Sequence, residues 1–141
     1  MEAYFDNSAT TIVTDSVKDI VVKTMTEDFG NPSAMHMVGV KAEKYIKEAQ
    51  ENIAKILKVD PKEIFFTSGG TESNNMAIIG TAMANKRKGN KIITTSVEHS
   101  SVLATMKYLE EQGFEVIYLP VDRYGVVQME ALEKEMTEDT I

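Results

Sequence analysis

The sequence predicts an α/β fold with a parallel sheet. In the second half of the chain, short apolar runs alternate with longer segments of helical spacing, a pattern typical of βαβ units with right-handed crossovers. Two adjacent glycines, Gly69 and Gly70, mark the point where the first predicted strand turns into a helix. With 141 residues, of which 43% are hydrophobic, the chain can form about one packed domain.

The first sixty residues predict two helices joined by a loop. The first helix is predicted to begin at a cap formed by Thr14 or Asp15 and to end before Gly30. A long amphipathic helix is predicted from about Val38 to Leu57, because its apolar residues repeat on one face. Residues 1–60 are therefore assigned to an amino-terminal arm and helices.

Residues 61–141 are predicted to contain successive βα units. The predicted strands are Ile64–Thr67, Ile92–Thr95 and Glu115–Leu119. Ligands of parallel sheets bind beyond the carboxyl ends of the strands. The turns after the first two strands lie on that edge, so we expect the glycine turn and His99 to be close to each other.

The Gly69–Gly70 turn predicts an anion site. Glycines let the backbone approach a ligand, and the first N–H groups of a helix lack intrahelical partners. Ser68, Thr71 and Ser73 add hydroxyl groups. The alternative is an ordinary strand-to-helix turn that Thr71 caps. The turn carries neither the Walker lysine pattern nor G-x-G-x-x-G, so its spacing leaves both interpretations open.

His99 is the candidate for chemistry on a ring-shaped ligand. A neutral imidazole can stack on a flat heteroaromatic group and pass protons. The alternative is a histidine at a helix start that only makes local hydrogen bonds. His36, in the glycine–proline loop, is assigned to loop packing. The sequence has only these two histidines and no ligand cluster, so no metal site is expected.

Charge and composition exclude several classes of partner and chemistry. The net charge is −7 and the basic residues are scattered, so neither nucleic acid nor a membrane is expected as partner. The chain has no cysteine, which excludes disulfides and thiolate chemistry within it. It shows no signal-peptide pattern and no apolar run of membrane-spanning length, so a cytoplasmic location is expected.

Five segments, in order and covering essentially the whole chain, resemble the NifS/IscS-like cysteine desulfurases. These enzymes are related to class V aminotransferases and use pyridoxal 5'-phosphate. The segments are Tyr4–Thr11, Gly30–Ser33 with His36 and Gly39, Phe66–Asn75, Glu98–Leu103, and Val121–Asp122 with Gly125. The resemblance implies part of the large domain of the type I pyridoxal-phosphate-dependent transferase fold, a three-layer, mostly parallel architecture that is incomplete in this chain.

The resemblance also implies roles for individual residues. Gly70 and Thr71 would hold the cofactor phosphate, and His99 would be the catalytic residue that stacks on the pyridine ring and assists proton transfer. The residues implied to border the substrate pocket are Asn7, Ala9, Thr10 and Asn31.

The implied reaction takes sulfur from L-cysteine, leaving L-alanine and an enzyme-bound persulfide. A sulfur acceptor protein would then use it for iron–sulfur cluster or thio-cofactor synthesis. The implied enzyme is a homodimer. The Schiff-base lysine and the persulfide cysteine of the family have no counterpart here, so we expect these 141 residues to be inactive alone, with weak, phosphate-led cofactor contact. Two alternatives stay open: part of a related class V enzyme (a selenocysteine lyase or an aminotransferase), or a non-catalytic phosphate-binding or interaction module.

The resemblance implies, finally, that the Ile64–Thr67 strand pairs with a strand outside these residues. We therefore expect open sheet edges, exposed apolar helix faces and a tendency to associate.

Overall fold

The computed structural model describes residues 3–141, which form an α/β chain in two compact units. The boundary between the two units lies between Phe65 and Phe66. The elements are α1 (Asp15–Thr26), α2 (Met37–Leu57), a 3₁₀ turn (Pro61–Glu63), α3 (Gly70–Asn85), β1 (Lys91–Thr95), α4 (Ser100–Glu111), β2 (Glu115–Leu119) and α5 (Met129–Glu135). The division between residues 60 and 61 that the sequence suggested stays a prediction.

The two helices of the first unit begin and end close to their predicted limits. Thr14 occupies the cap position of α1, but its side chain makes no capping hydrogen bond. His36 caps α2, because its Nδ1 accepts a hydrogen bond from the Gly39 amide at 3.3 Å. The structure thus gives His36 a helix-capping role at an exposed position, where the sequence suggested a surface or loop-packing role.

The predicted strand Ile64–Thr67 is wrong for this chain, since these residues have no regular structure. The Phe65 and Phe66 side chains are exposed. A strand persists only where a neighbour supplies hydrogen-bond partners, and no strand among residues 3–141 does so here. Instead, Gln50 Nε2 donates to the Ile64 carbonyl at 2.9 Å.

The sheet of the second unit is parallel, as predicted. β1 and β2 pair in register from Lys91 with Glu115 to Thr95 with Leu119. On its other side, β1 is bridged in parallel by Thr140. The predicted bounds of β2 are confirmed, and β1 begins one residue earlier than predicted.

The core of the second unit lies between α3, α4 and the sheet. Leu109 of α4 has no exposed surface. The other buried members of this cluster are Ala82, Ile92, Met106 and Phe114. α4 follows the carboxyl end of β1, and a hydrogen bond of 2.9 Å from Asn74 of α3 to Ser101 of α4 holds the amino-terminal parts of the two helices together.

The apolar face of α1 is exposed, as expected from the sequence. None of its residues is buried. Its exposed apolar side chains are Val17, Ile20, Val21, Val22 and Met25.

Within residues 3–141, none of the helices combines the length and the apolar character of a bilayer span.

Asp28 forms a buried charged cluster that the sequence analysis did not predict. Its side chain has no exposed surface, and Oδ1 lies 2.5 Å from Lys41 Nζ. Tyr45 donates its hydroxyl hydrogen to Oδ2 at 2.6 Å, and Lys23 Nζ lies 4.0 Å from the same oxygen. The hydrogen bond with Lys41, followed by that from Tyr45, holds the pKa of Asp28 below its ordinary value of 3.8 in spite of burial. The cluster thus joins the end of α1 to α2.

We expect the Asp28 cluster to lose its stabilising effect in acid. Because the folded pKa is depressed, the contribution is present in full above pH 3.8 and is lost as the pH falls through the folded pKa. Asp28→Asn should therefore lower the urea midpoint of the first unit at neutral pH, and this deficit should shrink below pH 3.8. The control is Asp15→Asn, which alters an exposed pair with Lys18. A deficit that stays constant across this range would contradict the prediction.

Candidate functional site

The first turn of α3 presents unpartnered amides. Gly69 occupies the cap position and Gly70 is the first helical residue. Among the described residues, no group accepts a hydrogen bond from the amides of Gly70, Thr71 or Glu72; the first bonded amide is that of Ser73, which donates to the Gly69 carbonyl at 3.1 Å. Three converging N–H groups at the positive end of a helix form an anion site by geometry and by charge.

Open space lies beside these amides. A methyl group built onto Gly69 or Gly70 would meet no atom within 4 Å. A groove of about 680 Å³ begins at this turn and is lined by Ser68, Thr71 and, farther along α3, Met76. Thr71 does not cap the helix, so that part of the ordinary-turn alternative is wrong, and the exposed Thr71 hydroxyl remains available to a ligand.

The Glu72 carboxylate accepts hydrogen bonds from both donor groups of Ser68. Both the backbone N–H and the hydroxyl of Ser68 donate to Glu72 Oε2, at 2.6 and 2.7 Å. These bonds, the backbone one first, lower the pKa of Glu72 from its ordinary value of 4.5. Glu72 is therefore ionised at neutral pH and opposes a second negative charge nearby, which favours weak rather than tight anion binding.

His99 lies at the cap position of α4, the helix next to α3. Its Nδ1 accepts from the Ser101 amide at 3.1 Å and lies 2.9 Å from Ser101 Oγ. Asn74, in the second turn of α3, donates to the same Oγ at 2.9 Å. His99 is thus joined through one serine to the helix that Gly70 begins, and its ring is exposed. The alternative for His99 was a histidine that makes only local hydrogen bonds. Its local bond with Ser101 is present and uses Nδ1, so Nε2 takes no part in it.

The four residues assigned to the substrate pocket lie in the first unit. Asn7 and Thr10 line one concavity of about 510 Å³. Ala9 and Thr10 belong to a turn in which both amides donate to the Asp6 carbonyl, at 3.1 and 3.4 Å. Asn31 lies in the loop between α1 and α2, where its Oδ1 accepts from the Ser33 amide at 2.9 Å. Asn31 does not line the concavity of Asn7 and Thr10.

The sequence profile described as "Aminotransferase class-V" matches residues 3–141. This chain belongs to the aminotransferase class-V family. It is 48% identical over 138 residues to cysteine desulfurase IscS 1 of Archaeoglobus fulgidus, covering 98% of this chain and 36% of that protein. It is 50% identical over 138 residues to cysteine desulfurase IscS of Methanosarcina thermophila, covering 98% and 34%. The chain therefore spans about a third of the length of these relatives and corresponds to their amino-terminal part.

Solved structures that are similar to this chain also indicate kinship with NifS-like proteins. A structure described as a NifS-like protein superposes with a TM-score of 0.89 at 47% identity, covering 100% of this chain and 39% of the other. A structure of SspA in complex with cysteine gives a TM-score of 0.85 at 39% identity, covering 98% and 40%. The predicted fold is confirmed as an α/β part of the type I pyridoxal-phosphate-dependent fold, and the resemblance to NifS/IscS-like enzymes is confirmed with it.

The sequence analysis of this class V chain missed Asn74 and Ser101 as partners of His99. Ser101 is buried, with 8% of its surface exposed, and Asn74 is half-buried. They are 27 residues apart, so no local spacing rule connects them. The contact between Glu72 and Ser68 could have been anticipated, since an acidic residue in the first turn commonly bonds back to the residues preceding a helix.

Proposed function

We propose that this chain forms the amino-terminal, cofactor-binding part of a pyridoxal-phosphate-dependent cysteine desulfurase. The observation that carries the proposal is the set of three unpartnered amides at Gly70, Thr71 and Glu72, open to solvent beside a pair of glycines. Kinship with relatives named cysteine desulfurase supports the same conclusion.

The residues present fit a cofactor phosphate. In this proposal, the amides of Gly70 and Thr71 and the Thr71 hydroxyl donate to phosphate oxygens, in the space that a side chain at Gly70 would fill. His99 stacks on the pyridine ring and holds or passes a proton. Bound pyridoxal phosphate supplies an electron-withdrawing ring that weakens the bonds around the Cα atom of an amino-acid substrate.

The proposal assigns the remaining parts of the reaction as follows. L-cysteine is the substrate, and the turn with Asn7, Ala9 and Thr10, together with the Asn31 loop, borders its pocket. The chain has no cysteine to receive sulfur, so these 141 residues by themselves are catalytically inactive. A sulfur acceptor protein, a homo-oligomeric enzyme and a cytoplasmic location complete the proposal, and the exposed apolar face of α1 supports the oligomer.

Titration with pyridoxine 5'-phosphate tests the phosphate site without interference from surface lysines, because this probe has no aldehyde. We expect the amide resonances of Gly70, Thr71 and Glu72 to shift, with a dissociation constant on the order of 1 mM. Unphosphorylated pyridoxine should bind at least about tenfold more weakly, since a charge-assisted hydrogen bond contributes about 1.5–3 kcal/mol.

A pair of first-turn prolines shows which amides are responsible. Gly70→Pro removes one donor at a position where a helix tolerates proline, so binding should weaken about tenfold or more. Asp15→Pro makes the same change at the first residue of α1 and should leave the affinity unchanged. Equal binding of pyridoxine and its phosphate, or equal affinities for the two proline variants, would overturn the proposal.

A further inference from the structure

A chain of polar contacts crosses from α3 to α4 and ends at His99. Asn74 Nδ2 donates to Ser101 Oγ at 2.9 Å, and Ser101 Oγ lies 2.9 Å from His99 Nδ1. The backbone of Ser101 also contributes, since its N–H donates to His99 Nδ1 at 3.1 Å. Thr105 braces this arrangement from within α4, because its hydroxyl lies between the Ser101 carbonyl, at 2.8 Å, and Asn75 Oδ1.

The hydrogens in this chain can be assigned from the donors alone. A backbone N–H can only donate, so its contact with His99 Nδ1 favours the form of the neutral ring in which Nδ1 is an acceptor and carries no proton. The amide nitrogen of Asn74 also can only donate, so it uses one lone pair of Ser101 Oγ. The hydroxyl hydrogen of Ser101 is then available, and Nδ1 is the acceptor within its reach. Both donors of Ser101 thus converge on one ring nitrogen, and the proton of the neutral imidazole lies on Nε2.

We propose that Ser101 and Asn74 are positioning residues that lock His99 in the Nε2–H tautomer and fix the plane of its ring. The tautomer itself does not depend on the proposed function, but its role in proton transfer rests on that function. If His99 works beside a pyridine ring, the atom that holds or passes a proton is Nε2, and Nδ1 is reserved for the protein. The positioning is a property of the free chain and needs no cofactor.

The other histidine of the chain provides an internal comparison. His36 also caps a helix, and its Nδ1 accepts from the Gly39 amide, but at 3.3 Å and without any hydroxyl or side-chain amide behind it among the described residues. Helix capping alone therefore accounts for one long hydrogen bond from a backbone N–H to Nδ1. It does not explain the buried Ser101 hydroxyl that contacts His99 or the half-buried Asn74 that donates to this hydroxyl.

Two-bond ¹⁵N–¹H correlation spectra of the two imidazoles test the proposal in the 141-residue chain, at a pH above the ordinary titration range of histidine. His99 should show the pattern of a single Nε2–H tautomer, with Nδ1 in the unprotonated range. In Ser101→Ala, as at His36, only a backbone N–H is left to hold Nδ1 in the acceptor form. The Nδ1 resonance of His99 should therefore shift part of the way towards the average of the two tautomers. Asn74→Ala should produce a smaller shift in the same direction.

Two further variants separate positioning from a general effect on the fold. Ser101→Thr keeps the hydroxyl and should restore the wild-type pattern of His99. Ser100→Ala changes the exposed neighbour, for which no side-chain hydrogen bond is present in the described structure, and should leave the spectrum unchanged. An Nδ1-protonated His99 in the wild type would overturn the proposal, and so would a Ser101→Ala spectrum identical to it. The spectra are recorded without a cofactor, so neither result decides whether the chain binds a phosphate. The titration with pyridoxine 5'-phosphate tests that question separately.

Discussion

Replacing Leu109 with alanine should lower the free energy of unfolding of the second unit by about 2–5 kcal/mol. Leu109 has no exposed surface and packs in the cluster shared by α3, α4 and the sheet. Truncation removes the buried methyl groups and leaves a cavity, which the surrounding Phe114 and Ile92 side chains can fill only in part. Because the stability of a domain is about 5–15 kcal/mol in total, this loss would be a large part of it.

Hydrogen exchange at the slowest amides of β1 measures this change within the second unit, without assuming that both units unfold together. Lys107→Ala, an exposed change in the same helix, is the control and should alter the stability by no more than about 0.5 kcal/mol. If Leu109→Ala cost less than about 1 kcal/mol, the cluster around Leu109 would not be the core that holds α3 against α4.

The sequence predicted those elements whose signal is local. β2 was predicted at its observed bounds because a run of β-branched and aromatic residues lies between Gly113 and Pro120. The start of α3 was predicted because Gly69 and Gly70 separate a short apolar run from a segment with helical spacing. The rule for parallel sheets predicted that Gly70 and His99 would be near each other. The strand before Gly70 on which that prediction relied is absent among the described residues, and the bond from Asn74 to Ser101 joins the two helices instead.

The absent strand and the unpredicted Asp28 cluster have one physical cause, which is that partners far away in sequence decide the outcome. Phe65 and Phe66 have strong strand propensity, but a strand requires a neighbouring backbone, and the described residues supply none. The environment of Asp28 depends on Lys41 and Tyr45, residues on a different helix. No periodicity in the sequence reports such contacts.

The same limit applied to the site. The sequence predicted that His99 and the glycine turn would be close to each other, but not which atoms connect them. The bond from Asn74 to Ser101 depends on the packing of α3 against α4, and the tautomer that we propose for His99 rests on that bond. The sequence singled out His99 as a candidate, but the contacts from which its tautomer is proposed could be found only in the structure.

Replacing Gly39 with alanine should destabilise the first unit by about 1–3 kcal/mol, even though alanine is the better helix former. Gly39 lies in the first turn of α2, against the loop that contains Asn31. A Cβ atom there would come within 2.3 Å of the Ala34 carbonyl oxygen and 2.7 Å of that of Asn31. Both obstacles are backbone atoms, so no side-chain rotation relieves the overlap and the loop itself must move.

Gly80→Ala is the matched control, since Gly80 lies in the interior of α3 with open space where the methyl group would be. This change should stabilise the chain by up to about 1 kcal/mol, because alanine loses less backbone entropy than glycine on folding. Urea unfolding gives the sign of each effect, and exchange of the Ser33 and Ala34 amides shows whether the Asn31 loop has moved. Equal stabilisation by the two substitutions would mean that the loop does not rest on Gly39, and the Asn31 loop would then be free to reposition independently of α2.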